Sequence, residues 1–401
     1  MKYLAAKRSL SLLVLAILVF PNCAALASLS GQETKPKDDR GLGVRPNATN
    51  PASGQAKTGG NKPEIVLQAG ITSPQTQIGF SRDGRLLAST GMHGTYIKLW
   101  EVASGRLLRQ LESTMPTFGG SSMTRPFRFS EDGRTIVALA DGRLKRWDIE
   151  TGKELNATVL PGGKDLVTVQ LSDDGKILAA FGMKHGSIRL WDTSSSRELA
   201  ALEIDQDESV AGNDSFTLSG DGRLVAALTQ TVKTSRDRKG VSMTTTRQVT
   251  IWDVASGKKT KTLKVASTPV QLGAYPHENV SVAFSGDSGW IAFRDDSSMK
   301  IWETATGREL KTFNSPRISG AGSNTTFQMF ANKFLFSPDR GLLSVVTENS
   351  KIALLDASSA AVLHTLARHE GAVIGLSFSP DSKFLASSGI DNRIRIWDTA
   401  S

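Results

Sequence analysis

Five histidines, His93, His185, His277, His364 and His369, and a single cysteine, Cys23, are the side chains of this 401-residue chain best suited to metal or nucleophilic chemistry. None has the close His or Cys spacing of a zinc site, so no metal centre is expected. His93 and His185 stand in turns flanked by glycine and read as solvated turn residues. Seven aspartates, Asp83, Asp132, Asp174, Asp221, Asp287, Asp339 and Asp381, recur in one context: Phe or Leu, Ser, any residue, Asp, usually Gly. A carboxylate site would need them gathered at one point. A side chain that closes its own turn by accepting hydrogen bonds accounts for them more simply. The Asp-Gly pairs lie in turns, with no glycine-rich loop opening onto a helix, so no phosphate cradle is expected. No Gly-x-Ser-x-Gly elbow occurs, and no Ser/His/Asp trio follows from spacing. The residues therefore point to no catalysis and no cofactor. Asn47, Asn156, Asn213, Asn279 and Asn324 head Asn-x-Ser/Thr sequons, which matter only where a host glycosylates exported chains.

The elements that carry these turns repeat. After each Asp turn comes an apolar strand and then Trp-Asp or Trp-Glu, at Trp100, Trp147, Trp191, Trp252, Trp302 and Trp397, with Leu355 in the sixth slot. The intervals are 47, 44, 61, 50, 53 and 42 residues. A period of that length, with β-rich segments and turn chemistry in every unit, marks a radial array of small sheets. In the last unit, Val373–Phe378, Phe384–Ser388 and Ile394–Trp397 read as three strands joined by the turns at Ser379–Ser382 and Asp391-Asn392. Earlier units add a fourth, as in Arg106–Leu111. The expectation is an all-β, seven-bladed β-propeller of four-stranded antiparallel blades over residues 63–401. The chain ends just past the third strand of its last unit, while Glu64–Gln68 has strand character ahead of the first. That N-terminal strand is expected to complete the last blade and close the ring, removing two open edges.

Over residues 63–401 the chain resembles the WD-repeat family, on six of seven Trp slots filled at a near-regular period. The resemblance implies that blades often hold a buried hydrogen-bond relay of His, Ser or Thr, Asp and Trp. Only the last blade matches it fully, with His369, Ser387, Asp391 and Trp397. Six residues before the Trp slot, Asp141 and Asp296 keep the acid, whereas Gly94, His185, Thr246 and Asn349 replace it. The resemblance further implies a non-catalytic platform that binds another protein on a loop-bearing surface.

The N-terminus differs in composition. Lys2, Lys7 and Arg8 precede an apolar stretch from Leu10 to Phe20, then Pro21 and the small residues Ala25-Leu26-Ala27. This layout predicts a signal peptide at 1–27, a cleaved leader and a secreted or periplasmic protein. Lipid attachment at Cys23 is the lesser alternative, and no stable membrane insertion is expected after cleavage. Residues 28–62 are rich in Gly, Pro, Ser, Thr, Asn and Lys, and read as a disordered linker. Residues 1–62 hold nine basic and three acidic groups, which is +6 of the chain's net +9. The basic balance therefore gives little support to nucleic-acid binding.

Irregularity locates the expected contact surface. The fourth unit carries a surplus around Thr229–Gln248, β-branched on both arms, with Lys233, Arg236, Arg238, Lys239 and Arg247 against Asp237. It reads as a long hairpin beyond the ring. Residues 113–126, 265–280 and 314–332 form long connections that open on the same face. Arg236, Arg238, Lys239, Arg247, Tyr275 and Arg317 are the candidate partner-binding residues there. The expected protein is a monomeric interaction scaffold with a protein partner. The alternatives are a secreted propeller hydrolase, lactonase- or phosphoesterase-like, and an envelope-assembly accessory.

Overall fold

The structure, a computed structural model, describes residues 65–67, 74–91, 96–112, 127–140, 142–163, 166–182, 186–205, 207–210, 215–237, 240–270, 280–295, 298–314, 334–347 and 351–400. The chain divides into two compact units, Met1–Thr58 and Gly59–Ser401, and every described residue belongs to the second. The leader at 1–27 and the linker at 28–62 lie outside the described residues.

Seven antiparallel sheets account for all the described strands. Blade 1 runs Gln75–Phe80, Leu86–Gly91, Tyr96–Glu101 and Leu107–Glu112. Blades 2, 3, 5 and 6 repeat this order of four sequential strands, and blade 4 adds a fifth short one. In blade 7, Val373–Phe378, Phe384–Gly389 and Ile394–Asp398 are joined by Ile65–Leu67, which pairs antiparallel with Ile396–Ile394. The first strand of the chain is thus the fourth strand of the last blade. Its Leu67 is fully buried, and a Cβ on Gly105 of blade 1 would lie 3.1 Å from Ile65 and Leu67, so the seam is tight.

The core is divided among the blade interfaces. Each apolar cluster joins the Trp-slot residue of one blade to the strands of the blade before it. Trp147 packs on Ala88, Ile97, Leu99 and Leu111 of blade 1. Trp191 packs on Val137 and Leu144, Trp252 on Ile188 and Leu190, and Trp302 on Val249 and Ile251. Leu355 takes the slot against Met299 and Ile301, and Trp397 meets Ile352 and Leu354. Trp100 completes the circle against Ile394, Ile396 and Leu67. No blade buries both faces alone, which makes the ring cooperative.

The Asp turn is the same in every blade. The Ser hydroxyl donates to the Asp carboxylate in pairs such as Ser81–Asp83 at 2.6 Å and Ser379–Asp381 at 2.6 Å. The amide two residues past the Asp donates to the same oxygen, as Arg85 does at 3.1 Å. The residue between must enter the left-handed region. Gly84, Gly133, Gly175 and Gly222 do so in blades 1–4. Ser288, Arg340 and Ser382 do so in blades 5–7, at φ of 61°, 63° and 61°.

Candidate interaction surface

Blade 4 outgrows its siblings. Its second and third strands, Leu224–Asp237 and Gly240–Asp253, are 14 residues each, where the corresponding strands of blade 3 have six. They pair without a break from Leu224↔Asp253 to Asp237↔Gly240. Alternating Thr, Val and Lys favours such a ladder, because β-branched side chains pack against cross-strand neighbours on a pleated surface. At roughly 3.4 Å per residue, the surplus projects about 27 Å past the blade.

A correction concerns 265–280, which the sequence suggested was a connection. The outer strand runs Lys259–Val270 and stays paired to Val270↔Met243, so the projection is a three-stranded ribbon rather than a hairpin. Thr268 opposite Thr245 and Val270 opposite Met243 supply the cross-strand pairs that carry it on. The short strand Ser209–Val210 lies on the inner side of the ribbon, paired with Gln230 and Thr229.

The candidate partner-binding residues separate on this ribbon. Arg236 lies on the second strand near its tip. Arg238, Lys239, Tyr275 and Arg317 lie outside the described residues. Arg247 is 5% exposed, with Gln230 and Ala266 as ladder neighbours. It shares a strand face with Val249 and Ile251, which pack toward blade 5, so a partner cannot reach it as an open cation. Lys233 and Thr244, opposite each other, are exposed, and Val232 is 46% exposed.

The four relay residues meet in blade 7. His369 Nδ1 lies 3.0 Å from Asp391, and its Nε2 lies 2.8 Å from the Ser387 hydroxyl. The Trp397 indole donates to that hydroxyl at 2.8 Å. Arg395 donates to Asp391 at 2.7 Å. Burial holds the His369 pKa below its ordinary value, and the Asp391 hydrogen bond that would raise it does not compensate. A neutral imidazole then donates from Nδ1 to Asp391 and accepts the Ser387 proton at Nε2. Burial opposes the Asp391 charge, but the His369 hydrogen bond and the Arg395 contact outweigh it and keep that carboxyl well below the usual range. Ser, His and Asp stand in nucleophile-like sequence here, yet His369 and Asp391 side chains are 1% and 3% exposed and the hydroxyl is taken by Trp397. The arrangement holds an indole in place.

Sequence reasoning missed a second regularity. Two residues before the Trp slot stand Lys98, Lys145, Arg189, Lys300 and Arg395. Lys145 pairs with Glu154 at 3.1 Å, Arg189 with Glu198, and Lys300 with Glu309 at 3.7 Å. Each of these acids follows its Trp by seven residues, a spacing that was available in the sequence. Arg189 also lies 5.1 Å over the Trp191 ring. These pairs pin the outer strands to the third strands and gather no reactive group. Among the described residues, no group of three or more His, Cys, Asp or Glu side chains is placed to hold a metal ion.

With this geometry in place, comparison with known proteins gives two family matches. The WD domain, G-beta repeat, matches residues 360–398, and the nucleolar protein 10-like N-terminal β-propeller domain matches residues 121–355. Pre-mRNA-processing factor 17 of Homo sapiens is 24% identical over 345 residues, covering 84% of this chain and 52% of that protein. Nuclear distribution protein PAC1 of Arthroderma benhamiae is 25% identical over 280 residues, covering 65% and 55%. WD repeat-containing protein 3 of Mus musculus is 24% identical over 134 residues, 33% of this chain and 13% of that protein. The chain thus spans at most about half the length of these three relatives.

These matches overturn one expectation. The leader suggested a secreted or periplasmic protein, with Cys23 as a possible lipid site. The matched propeller is described as nucleolar and two of the relatives carry nuclear or pre-mRNA-processing names, which point inside the cell. Basic residues ahead of an apolar stretch form a pattern of composition alone, and it dictates neither cleavage nor export.

Proposed function

We propose that this chain, which belongs to the WD-repeat β-propeller family through its nucleolar protein 10-like propeller and its G-beta repeat, is a non-catalytic platform that holds a protein partner on the face from which the blade 4 ribbon projects. The ribbon carries this reading. Seven interfaces already close the ring without it, so three extended strands beyond blade 4 serve no closure. Loops and projections on a rigid scaffold are where binding residues concentrate. The relatives' printed names support an intracellular working place. A protein partner, rather than nucleic acid, fits a folded unit with little of the chain's positive charge.

Crosslinking in the native cell followed by identification of the captured chains tests the proposal. The paired comparison is a variant in which Thr231–Thr246 is replaced by an Asn-Gly turn, which suits a two-residue hairpin. The expected result is a ring of nearly unchanged melting temperature that loses its specific partner. Equal capture by both proteins would move the contact elsewhere on the ring, and absence of any specific protein partner would end the platform reading.

A further inference from the structure

The ribbon has an open edge, and its chemistry indicates what fits there. The second strand of blade 4 is covered on its inner side by Phe216–Leu218, then by Ser209–Val210 as far as Gln230. From Thr231 to Asp237, no strand among the described residues pairs with that side. The direction of the backbone groups follows from one bond. The Leu228 amide donates to the Ser215 carbonyl on the inner side, and the ladder to the third strand runs without a bulge. Amides alternate sides in an antiparallel strand, so Val232, Thr234 and Arg236 present their N–H and C=O to the open edge. Thr231, Lys233 and Ser235 point theirs into the ribbon. The chain itself begins the missing strand with Ser209–Val210. Ahead of it, a turn closed by the Glu208 amide on the Asp205 carbonyl takes the backbone away from the edge.

Resting on the platform reading above, we propose that the Thr231–Asp237 edge accepts an extended acidic segment of a protein partner as an added strand. Unpaired edge groups are a template for such pairing, with main-chain hydrogen bonds giving affinity and side chains giving choice. Charge selects the occupant. The edge strand carries Lys233 and Arg236 against Asp237, with Lys233 exposed. Residues 1–62 carry nine basic and three acidic groups and are therefore a poor complement. A second copy would bring the same cations to the same edge, and like charges oppose that pairing. An acidic partner segment meets neither obstacle.

The test uses the full chain and a fluorescent peptide of alternating Glu and Val, with an alternating Lys and Val peptide as its charge-reversed control. Thr234→Pro removes an edge amide while leaving the amides that face the third strand. The expected result is saturable binding of the Glu peptide only, weakened about tenfold or more by Thr234→Pro. A Lys233→Glu, Arg236→Glu double variant leaves the backbone intact, so it decides the matter if the proline variant fails to fold. It should also weaken binding, and the loss should shrink as salt rises. No binding of the Glu peptide, equal binding of both peptides, or binding that neither variant weakens overturns the assignment. So does a concentration-dependent dimer in the ultracentrifuge that Thr234→Pro dissolves, since the occupant is then a second copy. If the wild-type chain captures a specific partner in cells and Thr234→Pro captures it equally, the edge is wrong while the platform reading stands.

Discussion

Blade 7 and blade 3 secure the same side chain in different ways. Trp397 is 1% exposed and its indole nitrogen ends a chain running through Ser387 and His369 to Asp391. Trp191 is 0% exposed, and its indole nitrogen has no hydrogen-bond partner among the described residues, while Arg189 lies over its ring. The cause is a single position. Ser387 stands opposite Arg395 across the ladder, and Ala180 stands opposite Arg189 in the matching place. Blade 1 resembles blade 7 here, since Ser89 faces Lys98 and accepts the Trp100 indole at 3.0 Å. Burial of the indole between blades is thus the shared term, and the relay is an addition to it.

Removing the shared term should have the largest effect. Trp397→Ala and Trp191→Ala should each cost about 3–5 kcal/mol in reversible unfolding, because both leave a cavity at a blade interface. A much smaller cost for Trp191 would mean that its interface collapses around the hole. Phenylalanine separates the two blades. Trp397→Phe leaves the Ser387 hydroxyl without the donor it accepts from, whereas Trp191→Phe deletes a donor that had no partner. The first should therefore be costlier, by about 1–2 kcal/mol. Equal costs would show that the relay contributes nothing measurable.

The relay also predicts a pH dependence peculiar to blade 7. The folded pKa of His369 lies below its ordinary 6.5, so the unfolded chain binds the proton first as pH falls. The stability due to the neutral imidazole is complete above about 6.5 and is lost progressively below it. Asp391 acts in the same direction at lower pH, since its carboxyl is held below the ordinary 3.8 and its contribution is lost as pH falls through that region. Melting temperature measured from pH 8 downward should fall less steeply in His369→Gln than in the wild type. Parallel curves would remove His369 from the account.

The smallest expected changes are gains. Ala180→Ser should give the Trp191 indole the acceptor that blade 7 supplies, worth about 1 kcal/mol if the hydroxyl fits without overpacking. Ala360→Gly should relieve a side chain held at φ 61° in the blade 6 turn, a gain of about 0.5–1 kcal/mol offset in part by unfolded-state entropy. Arg340 occupies a similar conformation but is a poorer target. Its guanidinium pairs with Asp287 at 2.9 Å and lies 5.2 Å over the Trp290 ring, so it joins blade 6 to blade 5.

Much of the architecture was legible because its signals are local. A Ser that donates to the Asp two residues on is a contact within one blade, and the Trp slot follows that Asp by 15–17 residues in every blade but the fourth, so spacing alone displays them. The ring seam was legible for another reason. A unit lacking an outer strand and a spare strand at the opposite end of the chain are complementary deficits, and pairing them removes two open edges. The relay was legible only through the WD-repeat resemblance, whose relay positions His369, Ser387, Asp391 and Trp397 fill in the last blade. The difference at Trp191 was not legible, because its missing acceptor is known only when Ala180 is seen opposite Arg189. The compartment was misjudged from composition at the N-terminus, a stretch outside the described residues.

The sequence alone determined the number of blades, their strand order and the side chain that wedges each interface, because periodic burial and turn chemistry repeat whatever the neighbours do. Tertiary structure decided which cations are within reach. Arg247 and Lys233 look alike in the sequence, on opposite arms of the blade 4 insertion. Strand alternation turns the first in among Val249 and Ile251 and leaves the second in solvent. Three-dimensional pairing likewise ended the inner cover of the ribbon at Gln230 and left the edge beyond it without a partner strand among the described residues, since only the register of Ser209–Val210 fixes where that cover stops.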